Sequence, residues 1–190
     1  MFYICIIFLT MIFVYSYTLP LAFYYQCYSL FEAIFGPLFI LALLLVLLGL
    51  VCVLLRLFIP YKSWNYKKRF FKVSDAEFEK IKKIDVSKWK DIVPEMGKTA
   101  NFPKDKLYSL DIEYLYKFLQ ETCFAELMHE IVGFLPFLIL FFLPQQSFLY
   151  ALPLLFVNLI LHLFPCIIQR YVRFKLSKLY EKKLAKEKTH

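Results

Sequence analysis

The sequence predicts an all-α integral membrane protein, with about four transmembrane helices and a partly helical cytoplasmic segment between the second and the third. Three observations support this fold class. Hydrophobic residues make up 61% of the chain, more than a soluble domain of 190 residues carries. They are concentrated in four long apolar runs. All 23 Lys and Arg residues lie outside residues 1–55 and 118–169, which contain most of these runs.

Each apolar run is long enough to cross a bilayer, because a span needs about 20 residues at a rise of about 1.5 Å per residue. The predicted spans are residues 1–24, 35–58, 123–143 and 148–168. Pro20 interrupts the first run, so this helix is expected to kink or end there. The first run also lacks a basic region and a small-residue cleavage site, so we interpret it as a retained span.

The basic residues predict the orientation of the chain. The short connections at residues 26–32 and 144–147 contain no Lys or Arg, whereas the segment 60–122 and the tail 170–190 contain nearly all of them. The positive-inside rule therefore places both termini and the segment 60–122 in the cytoplasm. The same segregation argues against nucleic acid as a partner, despite a net charge of +8.

The cytoplasmic segment contains signals of further structure. The capping box Ser74–Glu77 predicts a helix that ends near Ile84, and a break is expected at Pro94 and Gly97. Apolar residues from Lys104 onward recur near the helical period, which predicts a helix that continues into the third span. Aromatic residues beside Lys67, Lys68 and Arg69 are typical of an interfacial belt: Tyr61, Trp64, Tyr66, Phe70 and Phe71.

Ionisable residues mark a candidate site in the third span. Glu126, His129 and Glu130 are spaced i, i+3 and i+4, so they share one helical face. Ionisable groups are costly inside a span, and those that occur there are usually functional. We therefore interpret these three residues as candidate catalytic groups.

The fourth span carries a second polar face, formed by Asn158, His162 and Gln169. The third and fourth spans are antiparallel about a turn near Gln145, so equal counts from this turn place His129 and His162 at about the same depth. The resulting prediction is a polar pocket that opens to the inner leaflet, with Arg170 and Arg173 at its mouth.

A metal centre is the less favoured interpretation of this site. His129, Glu130 and His162 are suitable ligand types for zinc, but the H-E-x-x-H spacing is absent, so we predict no metal. The five cysteines are scattered singly, and four lie in apolar runs. They indicate neither a disulfide framework nor a zinc site.

Three blocks of sequence, in order, resemble a known family. They are Lys88-Trp-Lys-Asp-Ile-Val-Pro-Glu-Met-Gly97, Glu121-Thr-Cys-Phe-Ala-Glu-Leu-Met-His129 with Pro136, and Pro165-Cys-Ile-Ile-Gln-Arg-Tyr-Val-Arg173. This pattern is similar to the glycosyl-4,4'-diaponeurosporenoate acyltransferase family, which comprises small bacterial membrane enzymes of the staphyloxanthin type. The resemblance extends over residues 87–176. This chain has His162, Val172 and Glu130 where the family pattern has Asn, Asn and often Trp.

The resemblance implies an O-acyltransferase of the bacterial plasma membrane. It would move a fatty acyl group from acyl-CoA, or another acyl donor, to a hydroxyl of a glycolipid or similar amphiphile; in one branch of the family the acceptor belongs to carotenoid biosynthesis. The expected partners are a membrane lipid or lipid-linked sugar and the acyl donor. No cofactor is expected beyond acyl-CoA as a co-substrate, and the oligomeric state stays open.

Chemical roles can then be assigned to the candidate residues. His129 is the expected general base, since the pKa of histidine suits proton transfer at neutral pH, with Glu126 or Glu130 orienting it. The acceptor hydroxyl or the oxyanion is expected to meet Asn158, His162 or Gln169. Phosphates are expected to meet Lys90, Arg170 and Arg173, and the block that contains Trp89 and Asp91 is expected to fold back over the pocket.

Two other classes of function remain open at this point. A small intramembrane methyltransferase or reductase acting on prenyl lipids would also place its site at the cytoplasmic ends of a few helices, although no cofactor-binding motif is visible. A non-catalytic membrane subunit would use the same polar residues only to join helices.

Overall fold

The computed structural model describes residues 2–26, 29–59, 63–93 and 106–188. Within these ranges the chain forms α-helices, short 3-10 helices and turns. The α-helices are α1 (Phe2–Tyr25), α2 (Leu30–Phe58), α3 (Asp75–Lys83), α4 (Val86–Trp89), α5 (Ile112–Phe134) and α6 (Phe148–Glu187). Two 3-10 helices, Leu135–Phe141 and Gln145–Ser147, connect α5 to α6.

Four helical stretches are long and apolar enough to cross a membrane. They are Ile4–Tyr25, Leu30–Phe58, Ile112–Phe141 and Gln145–Glu187. Large apolar side chains on their surfaces are exposed, with Val46 at 64% as an example. Such surfaces suit lipid better than water. The predicted all-α fold with four membrane-spanning helices is confirmed.

The helix ends differ from the predicted bounds at several prolines. α1 continues through Pro20 to Tyr25, and α6 contains Pro165 and continues to Glu187. A proline inside a membrane helix is tolerated when neighbouring groups satisfy the freed backbone carbonyl. α5 behaves differently, since it ends at Phe134 and the chain tightens into a 3-10 helix at Pro136. α5 also begins at Ile112, later than the position near Lys104 expected from the sequence.

The chain divides into two compact units. The first unit comprises Met1–Leu55 and Glu130–Leu163, and the second comprises Arg56–His129 and Phe164–His190. Both α5 and α6 contribute residues to each unit. Each unit has its own buried residues, and they are described separately below.

The first unit packs α1, α2 and α6 around an apolar core that includes Val14, Ile40 and Leu155, all fully buried. Tyrosine hydroxyls on α1 connect the helices, since Tyr17 Oη donates to the Leu149 carbonyl over 2.6 Å. α2 approaches α6 closely at Gly36. A Cβ atom added there would lie 2.6 Å from the ring of Tyr150.

The second unit has an aromatic core. The buried ring of Trp64 lies edge-on against Phe71 and Phe124, with ring centroids 6.0 and 5.6 Å away. Trp64, Tyr66 and Phe71 are all buried, so they are core residues and the prediction of an interfacial belt is wrong for them. Phe70 is exposed, and Tyr61 lies outside the described residues.

Helix α3 of the second unit forms where its capping box predicts it. Ser74 Oγ accepts a hydrogen bond from the Glu77 amide at 3.2 Å, which satisfies one of the free amides of the first turn. The ring of Phe78 stacks on Phe174 of α6, with centroids 4.0 Å apart. This contact fixes α3 along α6 and directs Glu77 toward it.

The close approach at Gly36 gives the first testable prediction. We expect Gly36→Ala to destabilise the protein by about 1–3 kcal/mol, because the added methyl group overlaps the buried ring of Tyr150. Gly49→Ala on the same helix is the matched control, since a Cβ atom there meets nothing within 4 Å. Thermal unfolding in detergent measures both, and equal melting temperatures for the two variants would contradict this account of the contact.

Candidate active site

Helices α5 and α6 pair closely within the second unit. The Cys166 thiol donates to the Glu126 carbonyl over 3.7 Å, and Arg173 Nη2 donates to the Thr122 carbonyl over 2.8 Å. Glu126 therefore lies level with Cys166. Equal counts from the turn near Gln145 predict that it lies beside residues 164–165, which is within one helical turn of the observed position.

Glu126 is the centre of a group of buried charges. Its side chain is fully buried, and its two carboxylate oxygens form ion pairs with Arg170 and Arg173 of α6. A buried carboxylate is very costly unless it is paired and hydrogen-bonded. The two guanidinium groups provide this compensation from a neighbouring helix.

Arg173 is also buried, with 1% of its surface exposed, and each of its three side-chain nitrogens has a partner. Nε donates to Thr122 Oγ1 at 3.0 Å, and Nη1 donates to the Phe71 carbonyl at 2.9 Å in addition to pairing with Glu126. The guanidinium thus joins α5, α6 and the turn before α3. Its expected role in phosphate binding stays a prediction, and in this structure its donors are used inside the protein.

Arg170 joins the same carboxylate to α3. It forms ion pairs with Glu126 and with Glu77, and its Nη1 donates to the Phe70 carbonyl over 3.4 Å. Glu126 and Arg173 are buried, and Glu77 and Arg170 are half-buried beside them; we refer to the four residues as the buried-charge cluster. Two carboxylates and two guanidinium groups give this cluster no net formal charge.

The sequence analysis missed two contributors to this arrangement. Glu77 was interpreted only as a helix cap, but its carboxylate reaches Arg170 of α6. Thr122 was noted only as part of a resemblance block, but its side chain and carbonyl both accept from Arg173. Neither contact leaves a local signal, because each spans about 50 residues or more along the chain.

A second ion pair lies at the end of α2. Both guanidinium nitrogens of Arg56 donate to the carboxylate of Glu121, at 3.0 and 2.9 Å, and the guanidinium lies 3.9 Å from the centroid of the Phe124 ring. Glu121 is buried, and it directly precedes Thr122 in the sequence. α5 is therefore held by arginines at two consecutive turns: Arg56 pairs with Glu121, and Arg170 and Arg173 pair with Glu126.

The described part of the block that begins at Lys88 packs on α6. Trp89 Nε1 donates to the Ile84 carbonyl over 2.8 Å, and its ring lies edge-on to Phe164 with centroids 5.4 Å apart. Lys90 and Asp91 pair with each other at 2.6 Å. Pro94 and Gly97, which completed the predicted fold-back, lie outside the described residues.

His129 and Gln169 are the remaining site candidates of the second unit, and both are half-buried. His129 follows Glu126 by three residues, so the two side chains share a face of α5. Gln169 directly precedes Arg170 on α6.

The first unit contains the candidates Glu130, Asn158 and His162, all half-buried. Asn158 Nδ2 donates to the Val132 carbonyl of α5 at 3.0 Å. A Cβ atom added at Gly133 would lie 3.4 Å from the His162 Cβ, so this glycine allows the backbone of α5 to approach the histidine. The predicted apposition of His129 and His162 stays a prediction.

Within residues 2–26, 29–59, 63–93 and 106–188, no group of three or more His, Cys, Asp or Glu side chains is arranged to hold a metal ion.

Comparison with known proteins identifies a family. A family model described as glycosyl-4,4'-diaponeurosporenoate acyltransferase matches residues 62–182, which is more than half of the chain. It confirms the resemblance inferred from the sequence. No curated protein and no solved structure matches.

The hydrogen bonds of Arg173 give the second testable prediction. Arg173→Lys keeps the positive charge beside Glu126, but a lysine cannot reach the Thr122 and Phe71 carbonyls at the same time. Acceptors left unsatisfied in a buried position should lower stability by about 1–3 kcal/mol.

Arg69→Lys is the matched control for this experiment, since Arg69 is exposed. We expect a change of less than about 0.5 kcal/mol there. The two substitutions are compared by their melting temperatures in detergent. An unchanged melting temperature for Arg173→Lys would show that the positive charge alone is sufficient for stability, without these hydrogen bonds.

Proposed function

The chain belongs to the glycosyl-4,4'-diaponeurosporenoate acyltransferase family, and on this basis we propose that it is a membrane-embedded O-acyltransferase. It moves a fatty acyl group from acyl-CoA, or another acyl donor, to a hydroxyl of a glycolipid or similar amphiphile. The observation that carries the proposal is the family match over residues 62–182, which includes His129 and the whole buried-charge cluster. Four membrane-spanning helices suit substrates that stay in the bilayer.

His129 is the general base in this proposal. Its imidazole takes the proton of the acceptor hydroxyl as the oxygen attacks the carbonyl carbon of the acyl thioester. The new C–O bond forms, the C–S bond breaks, and the imidazolium returns the proton to the departing thiolate.

Glu126 is assigned a positioning role. Its ion pairs with Arg170 and Arg173 hold α5 against α6, and this contact fixes the backbone that carries His129 one turn later. A carboxylate can accept about four hydrogen bonds, so Glu126 could also orient an imidazole. Glu130 lies four residues after Glu126 on the same helical face, and it is the alternative candidate for orienting the imidazole.

The acceptor side of the reaction is assigned to Asn158, His162 and Gln169. A neutral imidazole or amide can hydrogen-bond a sugar hydroxyl or stabilise the oxyanion that develops on the attacked carbonyl. Asn158 and His162 lie on consecutive turns of α6, beside Val132 and Gly133. This spacing along one face suits a polyhydroxylated headgroup.

Substitution of His129 tests the proposed function directly. We expect His129→Ala to lower turnover by roughly 10²–10⁴-fold, the usual contribution of a positioned base. His129→Gln keeps some hydrogen bonding but cannot accept the proton, so it should be nearly as inactive. The measurement is acyl transfer from labelled acyl-CoA to extracted membrane lipids, at matched expression and melting temperature.

His162→Asn is the matched control, since the family pattern has Asn at this position. It should retain substantial activity. Near-normal turnover of well-folded His129→Ala would refute the role of His129 as the base. Loss of activity in His162→Asn alone would assign the role of the base to His162. If the wild-type protein transferred no acyl group from any class of acyl donor, the proposed acyltransferase activity would be refuted.

The proposed location is the bacterial plasma membrane, with both termini in the cytoplasm. Single cysteines at Gln145 and Lys188, in a background without native cysteines, test this orientation through labelling by a membrane-impermeant thiol reagent on intact cells. The absence of basic residues from the connection near Gln145 predicts labelling at position 145 and protection at position 188. The reverse pattern would move the site to the outer leaflet.

A further inference from the structure

The turn at residues 65–72 presents a group of cations that the proposed chemistry does not use. Its exposed side chains are Lys67, Lys68, Arg69, Phe70 and Lys72. Residues 63–74 contain no Asp or Glu, so the turn has a local charge of +4. Asp75 is the first acidic residue after it.

The backbone of this turn is held in place from within. The Asn65 carboxamide oxygen accepts from the Lys67 amide at 2.9 Å, and the Lys68 carbonyl accepts from the Phe71 and Lys72 amides at 2.9 Å each. Arg170 and Arg173 donate to the carbonyls of Phe70 and Phe71. The turn is thus attached to α6, and its cations are displayed on a fixed backbone.

Phe70 indicates what the turn contacts. Its side chain is 53% exposed beside three consecutive cations, whereas the neighbouring Phe71 is 7% exposed in the core. An apolar ring among cations is typical of a segment at a lipid headgroup boundary, where the ring enters the acyl region and the cations meet phosphates. The turn also follows the end of the α2 span, at Phe58, by fewer than ten residues.

We propose that this turn is a binding surface for anionic phospholipid headgroups of the leaflet that it faces. Charge complementarity carries the assignment. Cations adjacent to a membrane are attracted by anionic lipid headgroups, and three of them are contiguous here. The cations of the buried-charge cluster are already paired with carboxylates inside the protein. This inference is independent of the acyltransferase proposal.

Lipid retention by the full chain in detergent tests the proposal. The protein is titrated with phosphatidylglycerol or with phosphatidylcholine of the same acyl chains, and native mass spectrometry counts the bound lipids. We expect wild type to retain phosphatidylglycerol preferentially. The triple variant Lys67→Gln, Lys68→Gln, Arg69→Gln should lose at least about tenfold in apparent affinity for it.

The matched control removes the same number of charges from α3, as Lys80→Gln, Lys82→Gln and Lys83→Gln. All three side chains of the control are exposed. Lys82 also forms a surface ion pair with Glu79 at 3.7 Å. Retention by this control should stay close to that of wild type. Equal losses in the two triple variants, or equal retention of both lipids by wild type, would overturn the proposal.

A second measurement needs no substitution. Lys67 and Lys68 should lose reactivity toward an amine-modifying reagent when phosphatidylglycerol is added to wild type, while Lys82 and Lys83 keep theirs. Unchanged reactivity of Lys67 and Lys68 would contradict binding at this turn, whatever the stability of the variants.

Discussion

The pairing of Glu126 with Arg170 and Arg173 is the interaction on which the rest of the second unit depends. A buried ion pair adds little net stability compared with apolar packing, but removing one partner costs about 3–5 kcal/mol. A shift of α6 along α5 by one turn would separate these charges and leave them buried. The cluster therefore specifies one register of the two helices, and this register determines which side chains lie beside His129.

The same two arginines extend this constraint beyond the helix pair. Arg170 binds Glu77 of α3 and the Phe70 carbonyl, and Arg173 binds the Phe71 carbonyl. The turn at residues 65–72 is thereby held through its backbone carbonyls. Its buried aromatic residues face the core and its basic residues face outward. One group of charges thus accounts for the helix register and for the shape of the adjacent turn.

The sequence was sufficient for the parts of the fold that depend on local pattern. Apolar length and charge segregation predicted the four spans, and the capping box at Ser74 predicted α3. The helix ends were less predictable, because Pro20 and Pro165 lie inside helices that continue past them, whereas a 3-10 helix begins beside Pro136. The partners of Glu77 and Thr122 could not be predicted, because they are set by packing across helices rather than by any periodicity.

The basic residues of the chain consequently fall into two classes that composition alone cannot separate. Topology predicts that they all lie on one side of the membrane, and for this purpose Arg173 and Lys68 are equivalent. Burial distinguishes them. Arg173 has 1% of its surface exposed, and its N–H groups donate to Thr122 and to the Phe71 carbonyl, so it stabilises the packing of the protein. Lys68 is exposed on a rigid turn without nearby acidic residues in sequence, so it is able to meet an external anion. The exposed cations are therefore the candidates for binding an external anion, and the buried ones hold the helices and the adjacent turn in position.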